Sequence, residues 1–137
     1  GVVLDGAFYC TRAVIESMVN NNFGRIIFFT GEGAFRGSPT RSHVSAAKMG
    51  LVGMARGLAS EFAANNIRIN VVSPGSIDTS RANPEWYSNR PPSASGVPMD
   101  RQGHVDEIAG TCLFLVSDDG GFITGQTIHV NGGDGYY

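Results

Sequence analysis

The chain has 137 residues, 42% of them hydrophobic and 16% charged, with a formal net charge of -2. This is the composition of one globular domain with a core of its own, which excludes a disordered chain. It offers no basic excess for nucleic acid or an anionic membrane, and no apolar run approaches the ~20 residues of a bilayer span. In chain order, residues 2–18 carry a helical pattern through Phe8, Thr11, Ala13, Val14, Ile15 and Met18. Asn20, Asn21, Asn22 and Gly24 favour caps and left-handed turns and stop it. The short apolar run at 25–30 predicts a strand buried on both faces, as in a parallel sheet.

Residues 31–40, with three glycines and a proline, read as a loop. The longest predicted helix follows at 42–65, with Leu51, Val52, Ala55, Leu58, Ala59 and Phe62 at the spacing of a buried face. Gly50, Gly53 and Gly57 each cost this helix about 1 kcal/mol relative to alanine, so close approach of another helix is expected there. A second strand is predicted at 67–72, leaving through a loop at 73–79. The segment 80–101, rich in Pro, Ser and Asn with Trp86 and Tyr87, has the length and irregularity of a substrate or lid loop. A helix through Val105, Ile108, Cys112 and Val116 and a third strand at 126–130 complete the pattern, closed by Asn131, Gly132 and Gly133.

Alternating strands and helices with long crossovers imply parallel pairing in right-handed βαβ units. The fold class is therefore α/β: the C-terminal half of a Rossmann-like doubly wound sheet, three parallel strands with flanking helices, spanning 1–137 as one partial domain. The strand expected before the first helix is not in the sequence, which leaves the 26–29 run on an open edge. Cys10 and Cys112 fall in helical apolar patterns and read as buried, reduced thiols of a cytoplasmic protein; no signal peptide pattern is visible. His43, His104 and His129 are far apart, and no Cys/His cluster has metal-ligand spacing, so no metal is expected.

Several stretches, in order, resemble the C-terminal half of a short-chain dehydrogenase/reductase. They are Leu4-Asp5-Gly6-Ala7-Phe8, Ser45-Ala46-Ala47-Lys48, Leu58-Ala59-Ser60-Glu61, Ile67-Arg68-Ile69-Asn70-Val71, Pro74-Gly75-Ser76-Ile77-Asp78-Thr79, Ile123-Thr124-Gly125-Gln126 and Asn131-Gly132-Gly133. The resemblance implies a NAD(P)-dependent oxidoreductase acting on a small molecule, and a homodimer or homotetramer. It places the nicotinamide end of NAD or NADP against Lys48, Pro74, Gly75, Ser76, Ile77 and Thr79. The glycine-rich phosphate loop and the residue that selects NAD or NADP are not in this sequence, and Gly31-x-Gly33 lacks the spacing of that fingerprint.

The resemblance also exposes departures. The family's proton-donating tyrosine, four residues before the lysine, is Val44 here; its substrate-orienting serine is Gly31; the polar helix residue of its proton relay is Val3. Of the four catalytic positions only Lys48 remains. A lone lysine in a first turn is most often solvated, but in this setting it implies a hold on the nicotinamide ribose. Delivering hydride to a carbonyl leaves an alkoxide that needs a proton and a donor aimed at the developing charge, and loss of one such donor costs on the order of 100 to 1000-fold in rate. His43 and Glu32 are the possible substitutes; the plainer readings are a loop or N-cap contact for His43 and a solvated loop carboxylate for Glu32. Thr30, next to Gly31, is expected to point away from the site. Arg36 and Arg41 read as water-facing, with the option of meeting an acidic substrate.

Three functions stay open at this point. One is hydride transfer to a carbonyl or a conjugated enone, where Val44 is closer to the dienoyl-thioester reductases, a branch without the tyrosine. The second is a non-catalytic nucleotide-binding scaffold, and the third a truncated inactive product.

Overall fold

The structure, a computed structural model, describes residues 1–79 and 96–137. Its elements run α1 (Val2–Asn20), β1 (Gly24–Phe29), α2 (Glu32–Arg36), α3 (Ser42–Phe62), β2 (Ile67–Pro74), β3 (Ile77–Asp78), β4 (Gly103–His104), α4 (Val105–Val116) and β5 (Thr127–Val130). The main sheet has the order β1-β2-β5, all parallel, with Gly24 opposite Ile67 and Ser73 opposite His129. The three parallel strands predicted from the apolar runs are these, and β1 lies at an edge.

The core lies between the sheet and α3. Phe28 of β1 and Ile67, Ile69 and Val71 of β2 alternate onto one face and meet Leu51, Val52, Ala55 and Ala59 of α3. All six α3 positions with the predicted spacing therefore meet this cluster, Leu51, Val52, Ala55 and Ala59 within it and Leu58 and Phe62 at its margin. Val72, on the opposite face by alternation, is also fully buried, so β2 is covered on both sides; α4 contacts β1, β2 and β5. Burying an isoleucine or valine in this way contributes about 1.5–3 kcal/mol each.

Polar side chains fix the ends of β2. The buried Asn70 amide donates to Ile123 O at 2.8 Å and accepts the Gln126 N–H at 3.0 Å, which holds the turn leading into β5. Arg68 donates to Gly121 O at 2.6 Å, and Asn66 adopts the left-handed conformation that closes the single 3-10 turn after α3. At the other end of β2 a Cβ on Gly75 would sit 2.7 Å from Asn131 Cα. Only glycine lets the loop after β2 touch the loop after β5 so closely.

Several expectations change. The 31–40 loop contains the short helix α2, because Phe35 has apolar cover in the core margin and Glu32 lies in its first turn. β3 and β4 form a two-residue parallel pair, too short to leave a pattern in the sequence. Cys10 is exposed and Cys112 is only partly covered, since α1 and α4 turn those faces outward; both thiols are free. Of the three helix glycines only Gly50 meets another helix, with a Cβ there falling 2.9 Å from a Leu4 methyl, while Gly53 and Gly57 face open space. Most of the segment 80–101, including Trp86 and Tyr87, lies outside the described residues. No described helix is long and apolar enough to cross a membrane.

Candidate active site

Parallel sheets bind ligands beyond the carboxyl ends of their strands, and here the ends of β1 and β2 face the N-terminus of α3. A cavity of about 230 Å³ opens there, lined among others by Thr30, Gly31, Arg41, Val44, Ser45 and Lys48. Val44 and Lys48, one helical turn apart, present the same face of α3 to it. The Lys48 ammonium donates to Phe29 O at the end of β1 at 2.8 Å, and Ser45 Oγ reaches Gly33 O at 3.4 Å. Three of the four positions singled out in the sequence are thus brought together. The fourth, Val3, lies on α1, partly exposed and away from the cavity.

Thr30 departs from its expected orientation. It shares the α3-facing side of β1 with Phe28 and lines the cavity beside Gly31, 8% exposed, with no hydrogen-bond partner for its hydroxyl. Arg41 lines the cavity as well, so among the described residues its charged lining side chains, Arg41 and Lys48, are both cations. His43 is exposed and does not line it.

Glu32 is neither solvated nor turned into this cavity. It is 7% exposed, accepts the Ser73 hydroxyl at 3.2 Å, and its Oε1 lies 2.8 Å from His129 Nδ1. The three side chains sit at the carboxyl ends of β1, β2 and β5, and the Glu32 Oε2 atom is buried without a partner. Phe35 and Tyr137 flank the imidazole at ring distances of 4.7 and 5.1 Å. Arg36 is exposed, as expected, and is also ion-paired with Asp134 at 2.5 Å; that partner and Tyr137 hold its guanidinium still further above the usual arginine range. Nothing in the spacing of Glu32, Ser73 and His129 marks them as partners; only the strand register brings them together.

A second cavity, of about 300 Å³, lies across the sheet end and is lined by Ser76, Ile77, His129, Asn131, Arg101 and Glu107 among others. The expected nicotinamide-side residues therefore divide, with Ser76 and Ile77 here and Lys48 in the first cavity. Gln102 donates to Ser76 Oγ at 3.1 Å, and Gly75 N–H to Val130 O at 3.0 Å. Arg101 grips Glu107 through two hydrogen bonds of 2.7 and 2.8 Å; with the His104 N–H these hold the Glu107 carboxyl down to about 2. No group of three or more metal-ligating side chains occurs among the described residues.

Comparison with known proteins bears on this geometry. A family model described as Enoyl-(Acyl carrier protein) reductase matches residues 1–134. The 3-oxoacyl-[acyl-carrier-protein] reductase FabG of Buchnera aphidicola is 41% identical over 132 residues, which is 96% of this chain and 54% of that protein. The FabG of Haemophilus influenzae is 40% identical over 130 residues, again covering 54% of its length. A crystal structure described as a "putative betaketoacyl-ACP reductase" superposes with a TM-score of 0.83 at 35% identity, over 96% of this chain and 55% of its own. The chain spans about half the length of the curated relatives it matches.

Proposed function

Because the chain belongs to the short-chain dehydrogenase/reductase family, by the enoyl-(acyl carrier protein) reductase model that spans it, we propose that it carries the reaction-side half of a NAD(P)-dependent oxidoreductase acting on a small molecule. The observation that carries this reading is the convergence of Gly31, Val44 and Lys48 on one cavity. The family's glycine-rich phosphate-binding turn is not among these residues. The residues present fit the nicotinamide end of such a cofactor. Lys48 spends one of its three N–H donors on Phe29 O and has no carboxylate partner among the described residues, so two donors remain for ribose hydroxyls. Gly75 lets the loop carrying Ser76, Ile77 and Thr79 sit against the β5 exit.

When bound, the reduced nicotinamide supplies the hydride. The chain's own part is to hold the acceptor and answer the negative charge that develops on its oxygen. Lys48 and Arg41 answer that charge as cations, and the Thr30 hydroxyl stands next to the position the family's serine occupies. Val44 supplies no proton, which favours a conjugated enone, whose charge is spread to a remote oxygen, over an isolated ketone. NAD and NADP both remain within the proposal, as do a cytoplasmic location and self-association into a homodimer or homotetramer through α1 and α3.

The test is NAD(P)H oxidation by the whole protein against a ketone panel and a conjugated-thioester panel. Turnover of the thioesters above the ketones is expected. Absence of turnover with both, together with retained cofactor binding, favours the second reading, a nucleotide-binding scaffold; the observation on its side is an apolar Val44 where a phenol belongs. These 137 residues alone are expected not to bind either cofactor with useful affinity, and a micromolar dissociation constant by calorimetry overturns that expectation.

A further inference from the structure

We propose that Arg36 and Tyr137 are positioning residues of the Lys48 cavity, acting through α2, and that the segment 131–137 is the brace that holds this wall of the cavity. The bearing on turnover rests on the reductase reading, whereas the brace stands on the geometry. Gly31, Gly33, Ala34 and Ser38 line the cavity, so α2 and the residues at its two ends form one wall of it. A helix of five residues does not sustain itself, because it is far shorter than the ~12–15 residues at which an isolated helix becomes even marginal. It has no side-chain cap and is bounded by glycines, Gly31 in extended backbone and Gly37 at a φ of 84°. Its position is therefore set by what its side chains touch.

On the α3 side those contacts are few. Phe35 reaches the margin of the core, and Ser45 Oγ meets Gly33 O at a long 3.4 Å. The other anchors lie on β5 and the segment after it. Glu32 meets His129 at 2.8 Å, and the Phe35 ring faces those of His129 and Tyr137 at 4.7 and 5.3 Å. Arg36 is ion-paired with Asp134 at 2.5 Å, donates to Asp134 O at 2.6 Å, and has the Tyr137 side chain as a further partner. None of these three α2 residues lines the cavity, whereas Gly33 and Ala34 between them do.

The brace is itself fixed. Asn131 accepts the Gly133 N–H at 3.0 Å and donates its amide to Gly135 O at 2.9 Å, while the Asp134 N–H returns to Asn131 O at 3.2 Å. Gly132 and Gly133 take the positive φ values of 64° and 85° that this turn requires. The turn brings the chain back from β5 against α2. At its start Asn131 touches Gly75, so one segment bears on both the loop after β2 and the wall of the Lys48 cavity. A small displacement of such a wall lowers the rate even when every side chain at the chemistry is intact.

The experiment compares the whole protein with its Arg36→Ala, Arg36→Lys, Tyr137→Ala and Tyr137→Phe variants, by amide hydrogen exchange in NMR and by NAD(P)H oxidation with conjugated thioesters. The Ala34 N–H donates to Gly31 O at 3.0 Å, so its exchange reports opening of α2. Arg36→Ala and Tyr137→Ala should each speed exchange at Ala34 about tenfold, while the α3 core amides of Leu51, Val52 and Ala55 exchange as before. The value of kcat/KM should fall in parallel, roughly tenfold. Tyr137→Phe keeps the ring against His129 and Phe35, and Arg36→Lys keeps a cation for Asp134, so both should retain most of the protection. Wild-type exchange at Ala34 in the two alanine variants overturns the proposal. So does faster exchange shared equally by the α3 core, which means that the whole fold has loosened, or faster exchange with unchanged kcat/KM. Failure of the reductase reading shows itself differently, as no turnover by the wild type, and the exchange pattern then decides on the brace alone.

Discussion

Glu32 and His129, 97 residues apart in the chain, meet through a 2.8 Å contact between Oε1 and Nδ1 that ties the end of β1 to β5 across the buried Ser73. The contact fixes the backbone at Gly31 and Gly33, which line the Lys48 cavity, while its imidazole lines the neighbouring one. Glu32→Ala leaves both the Ser73 hydroxyl and the His129 ring nitrogen without an acceptor in a closed site. A loss of about 1–3 kcal/mol in stability is expected. Urea unfolding followed by circular dichroism measures it, and a double-mutant cycle with His129→Ala should show coupling of at least ~0.5 kcal/mol. Additive losses refute a direct interaction.

That cluster also marks where the sequence stops being legible. The strands at β1, β2 and β5 and the buried stripe of α3 follow from apolar runs and helical spacing, which are local signals. The positions Gly31, Val44 and Lys48 follow from family spacing, and the cavity brings them together. Glu32 resembles any loop carboxylate, because its partners come from two other strands and register is a tertiary property. Thr30 continues the alternation of β1 two residues after Phe28 and so shares its side, whereas Gly31, beyond the strand and without a side chain, sets no direction from which to count. Arg36 is about half exposed, as its sequence position suggests, but its ion pair is not legible there, since Asp134 is distant in sequence and near in space.

The Arg101–Glu107 pair predicts a pH response. The Glu107 carboxyl is held down to about 2 from 4.5, first by the Arg101 side chain and then by the His104 N–H. A depressed folded value means that its contribution is complete above 4.5 and is lost as pH falls through about 2. Both side chains are more than two-fifths exposed, so salt weakens the pair. Arg101→Gln should raise the Glu107 midpoint toward its ordinary value without reaching it, because the His104 N–H remains. A carboxyl carbon NMR titration reads this directly, and an unmoved midpoint contradicts the assignment to Arg101.

Two glycines on α3 separate packing within the chain from packing between chains. A Cβ at Gly50 falls 2.9 Å from a Leu4 methyl, whereas at Gly53 it meets nothing within 4 Å. Gly50→Leu should therefore destabilise the fold by overpacking, by about 1–3 kcal/mol. Gly53→Leu should leave the unfolding midpoint of a monomer unchanged or slightly raised, since a helix-favouring residue replaces glycine. If copies associate through this helix face, Gly53→Leu lowers the mass seen in light scattering. An unchanged mass argues against α3 as the interface.

The vacant positions themselves allow the most direct trial of the chemistry, in the whole protein. At Gly31 the backbone is extended, a conformation any residue adopts, and an added Cβ comes no closer than 3.9 Å to Pro74 O, so Gly31→Ser has room. Val44 is 37% exposed, lines the cavity and sits one turn from Lys48, which places a phenol introduced there beside an ammonium. A neighbouring cation lowers a phenol from about 10 toward neutrality, the range a proton donor needs. If the scaffold lost only its donor and its orienting hydroxyl, Val44→Tyr with Gly31→Ser should raise ketone reduction by on the order of 100-fold or more, the scale of one such donor. If the protein reduces conjugated thioesters, the same pair should leave that activity flat or lower it, because a tyrosine fills much of a cavity of about 230 Å³. Steady-state NAD(P)H oxidation on both panels, wild type beside double mutant, separates the two outcomes. No gain in ketone turnover with a correctly folded double mutant means that the geometry around Lys48 does not support carbonyl reduction, and the scaffold reading then stands ahead.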